Sequence, residues 1–322
     1  MKLLARVIPA LAVSALTLGA APSFAQAWPN KPIRIITLAT PSGSDTLSRV
    51  IASKLQERVG QSGYVDNRPG AGGTIAVLAG KNAPADGYNF LVTPNVLTIA
   101  PWTTKNIGYD PIKDFAPIGR IGYAPLAFIV SPNNPAKTFP DFVKLVRSQP
   151  GKWDYASPGV GTPQHLSIEY IKQQLGLRMV HIPYPQSGTA VLDISEGRVA
   201  GGVFAIQQAV GLAQTNKIRI LAVLGDKRNS QLPDLPSLSE FGVKSLENPW
   251  VALFAPAGTP ADIIERMNRE MAAILAPQEV HQNMIKQGVE ITTSSVADFT
   301  RQFQADYERW GKVVKEAGIK AE

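Results

Sequence analysis

Four short loops rich in Gly, Ser and Thr are where this sequence could do chemistry. They are Thr40-Pro41-Ser42-Gly43-Ser44-Asp45, Asn67-Arg68-Pro69-Gly70-Ala71-Gly72-Gly73-Thr74, Ser157-Pro158-Gly159-Val160-Gly161-Thr162-Pro163 and Ser187-Gly188-Thr189. Each lies between a strand-like run and a helix-like run. Such loops present backbone N–H groups at helix N-termini, where the helix dipole favours negative charge. Several of them facing one cleft would hold a small carboxylate. Gly159 and Gly161 would let the backbone approach a ligand, and the Ser157 and Thr162 hydroxyls can donate to a carboxylate, with His165 one turn further on. Thr162 followed by Pro163 is also an N-cap with proline at the first helical position, so turn-and-cap chemistry explains the same residues. A phosphate cradle would need a closing Gly-Lys-Ser/Thr, which is absent.

The remaining candidates are weaker. Arg68, near Asp66 and Asp86, could clamp a carboxylate through its forked guanidinium or brace its own loop. Asp45 suits a cap or dipole partner near the start of a helix; it could also bind an amino group or orient water. His165, His181 and His281 are not spaced as metal ligands on one helix, and His181 sits in a strand-like run as a core histidine would. There is no Gly-x-Ser-x-Gly elbow, since Gly60-Gln61-Ser62-Gly63 breaks the spacing. Cysteine is absent, which removes thiolate catalysis, cysteine metal sites and disulfides. Neither a catalytic set nor a cofactor is indicated. An exported enzyme using His165 or Asp45 as a base is the alternative class, as is a ligand sensor for a signalling partner.

The elements that would position these loops alternate along the chain. A strand at 31–38 precedes a helix over 45–59, with apolar residues at Leu47, Val50, Ile51 and Leu55. Tyr64-Val65 reads as a short strand, 74–83 as a helix of small residues and 89–93 as a strand. The turn cluster Ser131-Pro132-Asn133-Asn134-Pro135 suggests a crossing into a second lobe. That lobe repeats the pattern: helix 138–148, strand 153–156, helix 163–175, strand 178–182, helix 189–196, strands near 199–204 and 218–224. Trp250–Pro256 reads as a strand crossing back, and helices follow over 260–275, 278–287 and 296–318. Alternation of this kind predicts an α/β fold with mostly parallel sheets flanked by helices. Two crossings predict two lobes with a cleft at the hinge: 28–126 plus 250–322, and 127–249.

The N-terminus reads as a leader over 1–27. Lys2 and Arg6 precede an apolar run from Val7 to Ala21, shorter than the roughly 20 residues of a spanning helix, and cleavage sites follow near Ala25 and Ala27. The chain has 322 residues and a net charge of +7; removing Lys2 and Arg6 leaves +5 for the mature part. A mildly basic surface suits anionic solutes. The cations are scattered and not interleaved with aromatics, so no nucleic-acid surface is expected.

The motifs, taken in order, resemble one family. Trp28-Pro29-x-Lys31-Pro32-Ile33-Arg34-Ile35-Ile36, Asp66-Asn67-Arg68-Pro69-Gly70-Ala71-Gly72-Gly73, Ala85-Asp86-Gly87-Tyr88, Gly159-x-Gly161-Thr162-x-x-His165-Leu166, His181-Ile182-Pro183-Tyr184 and Ala255-Pro256-Ala257-Gly258-Thr259-Pro260 are similar to the Bug family. These are the TctC-like periplasmic receptors of tripartite tricarboxylate transport systems. The resemblance spans essentially the whole mature chain. It implies a monomeric two-lobed periplasmic binding protein of the type II kind, without catalysis or cofactor, that closes around an organic acid and delivers it to membrane permease subunits. It places the ligand at Thr40, Ser42, Gly43, Ser44 and Asp45, at Asn95 after the third strand, at Ser157, Gly159, Gly161, Thr162 and His165, and at Tyr184, Ser187, Gly188, Phe204 and Ala205. Three departures bear on the ligand. Pro41-Ser42 replaces a usual Gly-Gly pair, Pro185-Gln186 replaces a Lys- or Arg-Gly step, and Ala205 stands where Asp is common. Losing that Asp removes a partner for an ammonium, so a di- or tricarboxylate or an aromatic acid is expected over an amino acid.

Overall fold

The computed structural model describes residues 28–38, 42–244 and 246–320. The leader read over 1–27, and Thr40 and Pro41 of the first loop, lie outside the described residues. Strand β1 (Ile33–Thr37) pairs in parallel with β2 (Gly63–Asn67) and β3 (Asn89–Pro94). Helix α1 (Gly43–Val59) joins β1 to β2, and α2 (Thr74–Lys81) joins β2 to β3. Three of the five β1 residues are buried isoleucines because both faces are covered: Ile33 and Ile35 join one core cluster and Ile36 the opposite one. Ser42 caps α1, its Oγ accepting from Asp45 N–H at 3.1 Å, and Gly60 ends the helix at φ 77°.

After β3 come α3 (Val96–Thr103), the single-turn α4 (Pro111–Asp114) and β4 (Phe115–Tyr123). The chain then passes to a second sheet at Ala124-Pro125, between β4 and β5 (Leu126–Val130). The turn at 131–135 is therefore not the passage; it follows β5. Helix α5 (Phe139–Ser148), β6 (Asp154–Ser157), α6 (Pro163–Leu175), β7 (Val180–Pro183), α7 (Ser187–Ser195), β8 (Gly201–Ala205), α8 (Ile206–Gln214) and β9 (Arg219–Val223) follow. The return is β10 (Trp250–Pro256), then α9 (Ala261–Leu275), α10 (Gln278–Lys286), β11 (Glu290–Ile291) and α11 (Val296–Glu316).

Among the described residues the strands form two sheets, ordered β11-β4-β10-β3-β1-β2 and β7-β6-β8-β5-β9. In each, the strand that arrives from the other sheet runs against its neighbours. β10 is antiparallel to β3 and β4, and β5 is antiparallel to β8 and β9. The two passages lie side by side: Ala124 N–H donates to the Pro249 carbonyl at 2.7 Å, and Leu126 N–H to Asn248 Oδ1 at 2.9 Å. Helix α11 packs on both halves. Phe299 and Phe303 join a core of the first sheet, while Trp310, Val313 and Val314 join a core of the second.

Candidate functional site

Parallel strands deliver their helices' N-termini to one edge of a sheet, and here those edges face each other. A cleft of about 590 Å³ lies between them. Ser42, Gly43 and Ser44 line it from the start of α1, Ser187 from the start of α7, and Ala205, Gln207 and Gln208 from the start of α8. Ser42, Gln186 and Ala205 are the N-caps of these three helices. Gln164, in the first turn of α6, adds an amide. The fourth wall is Lys286-Gln287-Gly288-Val289, where α10 ends. Lys286 is the one cation among the lining residues, and no carboxylate is among them. Gln207 Nε2 is buried here without an acceptor. First-turn N–H groups, amide donors and one ammonium give this lining the chemistry to hold an anion.

A second chamber of about 350 Å³ adjoins at Pro94, which lines both. Its walls are the Ala71–Thr74 turn, one face of α3 from Asn95 to Thr104, and the Val160–Pro163 segment. None of its lining residues is ionisable. Gly161 closes it against α3: its φ is +75°, and a Cβ there would stand 3.0 Å from Thr103 Cβ. Only glycine fits both the left-handed backbone and that approach.

The loop from Ser157 to His165 is wired to itself. Ser157 Oγ lies 2.7 Å from His181 Nε2 and 3.0 Å from the Gly159 carbonyl, and accepts from Gly159 N–H at 3.2 Å. Thr162 Oγ1 donates to the Gly159 carbonyl at 2.8 Å and accepts from His165 N–H at 3.3 Å. Gly161 N–H donates to His165 Nδ1 at 3.1 Å, which fixes the lone pair on that nitrogen. The imidazoles of His165 and His181 stack 3.9 Å apart, and Tyr155 stacks on His181 at 4.9 Å. Beneath them Glu169 accepts from Tyr155 Oη and from Lys172 Nζ. Burial first, then the neighbouring imidazole, holds the His165 pKa down at about 3; burial likewise lowers His181 to about 4. Both rings are neutral at physiological pH. A general base built on His165 would need a free lone pair and access, and this residue is 3% exposed with Nδ1 in use.

The expected site residues divide accordingly. Ser42, Gly43, Ser44, Ser187 and Ala205 line the first cleft; Asn95, Gly161 and Thr162 line the second chamber. Thr40 lies outside the described residues. The others are not in either lining. Asp45 is buried as a structural partner, accepting from Asn67 Nδ2 at 2.8 Å and Arg49 Nε at 3.1 Å. Ser157 and Phe204 are fully buried: Ser157 Oγ meets His181, and Phe204, one residue before the end of β8, joins a core cluster. Gly159 spends its carbonyl and N–H inside its own loop. Tyr184 donates to Asp193 Oδ2 at 2.7 Å, and Gly188 lines a separate surface hollow with Leu192 and Leu212. Arg68 donates to Asp66 at 3.0 Å, the bracing arrangement. Burial alone would raise the Asp66 pKa, but Arg34 and Arg68 hold the carboxyl below the usual range.

Sequence reasoning missed Gln207, Gln208 and Lys286. The signal for α8 was present: Ile206, Ala209 and Ala213 recur at helical spacing and are apolar. Nothing local marks Lys286, which reaches the cleft with the segment after α10 that lies against Gly43 at the start of α1.

A family model described as the tripartite tricarboxylate transporter family receptor matches residues 47–319. A UPF0065 protein of Bordetella bronchiseptica is 34% identical over 321 residues, 99% of this chain and 93% of the relative. A solved structure of R. palustris Rpa4515 with adipate is 32% identical, with a TM-score of 0.73, covering 92% of this chain and 100% of that one. The periplasmic binding protein BugD is similar at 26% identity and a TM-score of 0.70, with the same coverage. The two-sheet architecture is the periplasmic binding protein fold.

Proposed function

The chain belongs to the tripartite tricarboxylate transporter receptor family, and we propose that it is exported, captures a small organic carboxylate and delivers it to a membrane permease. The observation that carries this reading is the convergence of the α1, α7 and α8 N-termini on one cleft. Their dipoles are oriented before the ligand arrives, so little reorganisation opposes binding. Gln207 Nε2 lacks an acceptor and Lys286 lacks a carboxylate neighbour in the lining; a ligand carboxylate meets both needs. The absence of Asp and Glu from that lining, with Ala205 at the start of α8, disfavours a ligand ammonium. The adipate held by the Rpa4515 relative is a ligand of this chemical kind.

A thermal-shift screen of the mature protein against organic acids, amino acids and sugars tests the proposal. Binding to the folded state raises the melting temperature by mass action. Stabilisation by one or more carboxylic acids, and by neither control class, is expected. In Gln207→Leu the shift should shrink, since a hydrogen bond to a charged group contributes about 1.5–3 kcal/mol. Stabilisation by amino acids or sugars alone would sink the reading.

A further inference from the structure

We infer that His165 is a positioning residue of the acid site: its Nδ1 holds Gly161 N–H and thereby sets the Val160–Pro163 wall against α3; this rests on the receptor reading above. That wall needs holding. Gly159 and Gly161 have positive φ, at +123° and +75°, and glycine gives up more conformational freedom on ordering than any other residue. Gly159 is pinned from both sides, its N–H by Ser157 Oγ and its carbonyl by Thr162 Oγ1. Gly161 is held differently. Its N–H has one acceptor among the described residues, His165 Nδ1 at 3.1 Å.

The acceptor is fixed in place and in protonation. The imidazole is buried and stacked on His181 at 3.9 Å, so it keeps its orientation. Glu169 Oε1 lies 3.9 Å from Nε2 and favours the proton there, which leaves the lone pair on Nδ1. The arrangement is a cap for α6 that reaches one residue further back than a capping box, from the third helical residue to the residue before the N-cap. Held so, Gly161 stands against α3, with Thr103 Cβ 3.0 Å from the place a Cβ would take. Helix α3 follows β3 of the first sheet, and the loop follows β6 of the second. His165 therefore orders a contact between the two halves at the chamber that adjoins the cleft, without lining either space. An acid that binds there meets a wall already in place, and two glycines need not be ordered at its expense.

Two substitutions separate the acceptor from the ring. His165→Asn keeps an acceptor oxygen at the reach of Nδ1 and loses the ring; His165→Phe keeps a ring to stack on His181 and loses the acceptor. The measurement is calorimetric titration of the mature protein with adipate, citrate, benzoate and the most stabilising acid of the thermal-shift screen. For each acid that the wild type binds, His165→Phe is expected to bind about three- to tenfold more weakly and His165→Asn within about twofold of wild type. A ring that only fills space predicts the opposite order. Amide hydrogen exchange of the wild type, with and without the same acids, needs no variant: Gly161 N–H should be protected in both conditions. A Gly161 amide that exchanges freely without acid, or wild-type affinity in a folded His165→Phe, would overturn this inference and leave the receptor reading standing. No binding of any acid, together with an empty screen, would remove both.

Discussion

Gly161 shows what the loop chemistry of this chain does at the level of single residues. Its left-handed backbone and its closeness to Thr103 leave no room for a side chain. Gly161→Ala should cost about 1–3 kcal/mol through backbone strain and hold α3 off the loop. A lower melting temperature with weaker acid binding in calorimetry is the expected outcome; wild-type binding would mean the contact plays no part in closure. His165 and His181 make the second prediction. Their folded pKa values lie near 3 and 4, while an unfolded histidine titrates near 6.5. As pH falls from 7 to 4 the unfolded chain takes up protons that the folded chain refuses, so stability drops across that window and is recovered above it. Urea midpoints measured from pH 7 to 4 should fall, and a double His165→Gln, His181→Gln variant should flatten the slope; equal slopes would assign the loss to other groups. At this scale the sequence was read only in part. Ser157, Thr162 and His165 were recognisable as a loop with chemistry. That Ser157 Oγ meets His181 Nε2 and that the His165 ring stacks on His181 depends on β7 arriving beside the loop, which local spacing does not encode.

Elements were more legible, because period and punctuation are local. Apolar runs covered on both faces and the Thr162-Pro163 and Gly60 punctuation set β1, α6 and α1 to within a residue or two. Helix α8 and the turn signal for the first passage, read at 131–135 although the lobe boundary was set at 126, were obscured for a shared reason. Nearly continuous apolar sequence over 121–130 hides the boundary between β4 and β5, and 199–206 likewise runs β8 into α8 without a turn signal. The element that couples the halves is α11, and Asp306 is its anchor. Its carboxylate accepts from Thr98 Oγ1 at 3.1 Å, Trp250 Nε1 at 2.9 Å and Trp310 Nε1 at 3.1 Å, and pairs with Arg309. Burial raises its pKa even so. Asp306→Ala leaves two buried indole donors and the Thr98 hydroxyl without this acceptor, and should destabilise the protein by about 3–5 kcal/mol in denaturant unfolding. A loss below about 1 kcal/mol would show that water replaces the carboxylate without cost.

At the scale of the whole molecule, one contact ties the first sheet to the second beside the 286–289 wall of the cleft. Glu290 of β11 accepts from Asn229 Nδ2 at 2.8 Å, Ser230 Oγ at 3.2 Å and Gln231 Nε2 at 3.3 Å, all in the connection from β9 to β10. The residues just before it, 286–289, form a wall of the cleft. Glu290→Ala should favour an open arrangement. Small-angle scattering of the unliganded variant is expected to give a larger radius of gyration than wild type, with weaker acid affinity; an unchanged radius would make the contact local. The proposed capture rests on recognition of one negative charge by the ends of α1, α7 and α8. The most direct test is a pair of calorimetric titrations, with the acid that stabilises the protein most and with its methyl ester. Recognition of the charge predicts micromolar or tighter binding of the acid and at least about a hundredfold loss for the ester, the scale of two lost charge-assisted hydrogen bonds. Equal affinity for acid and ester would contradict it.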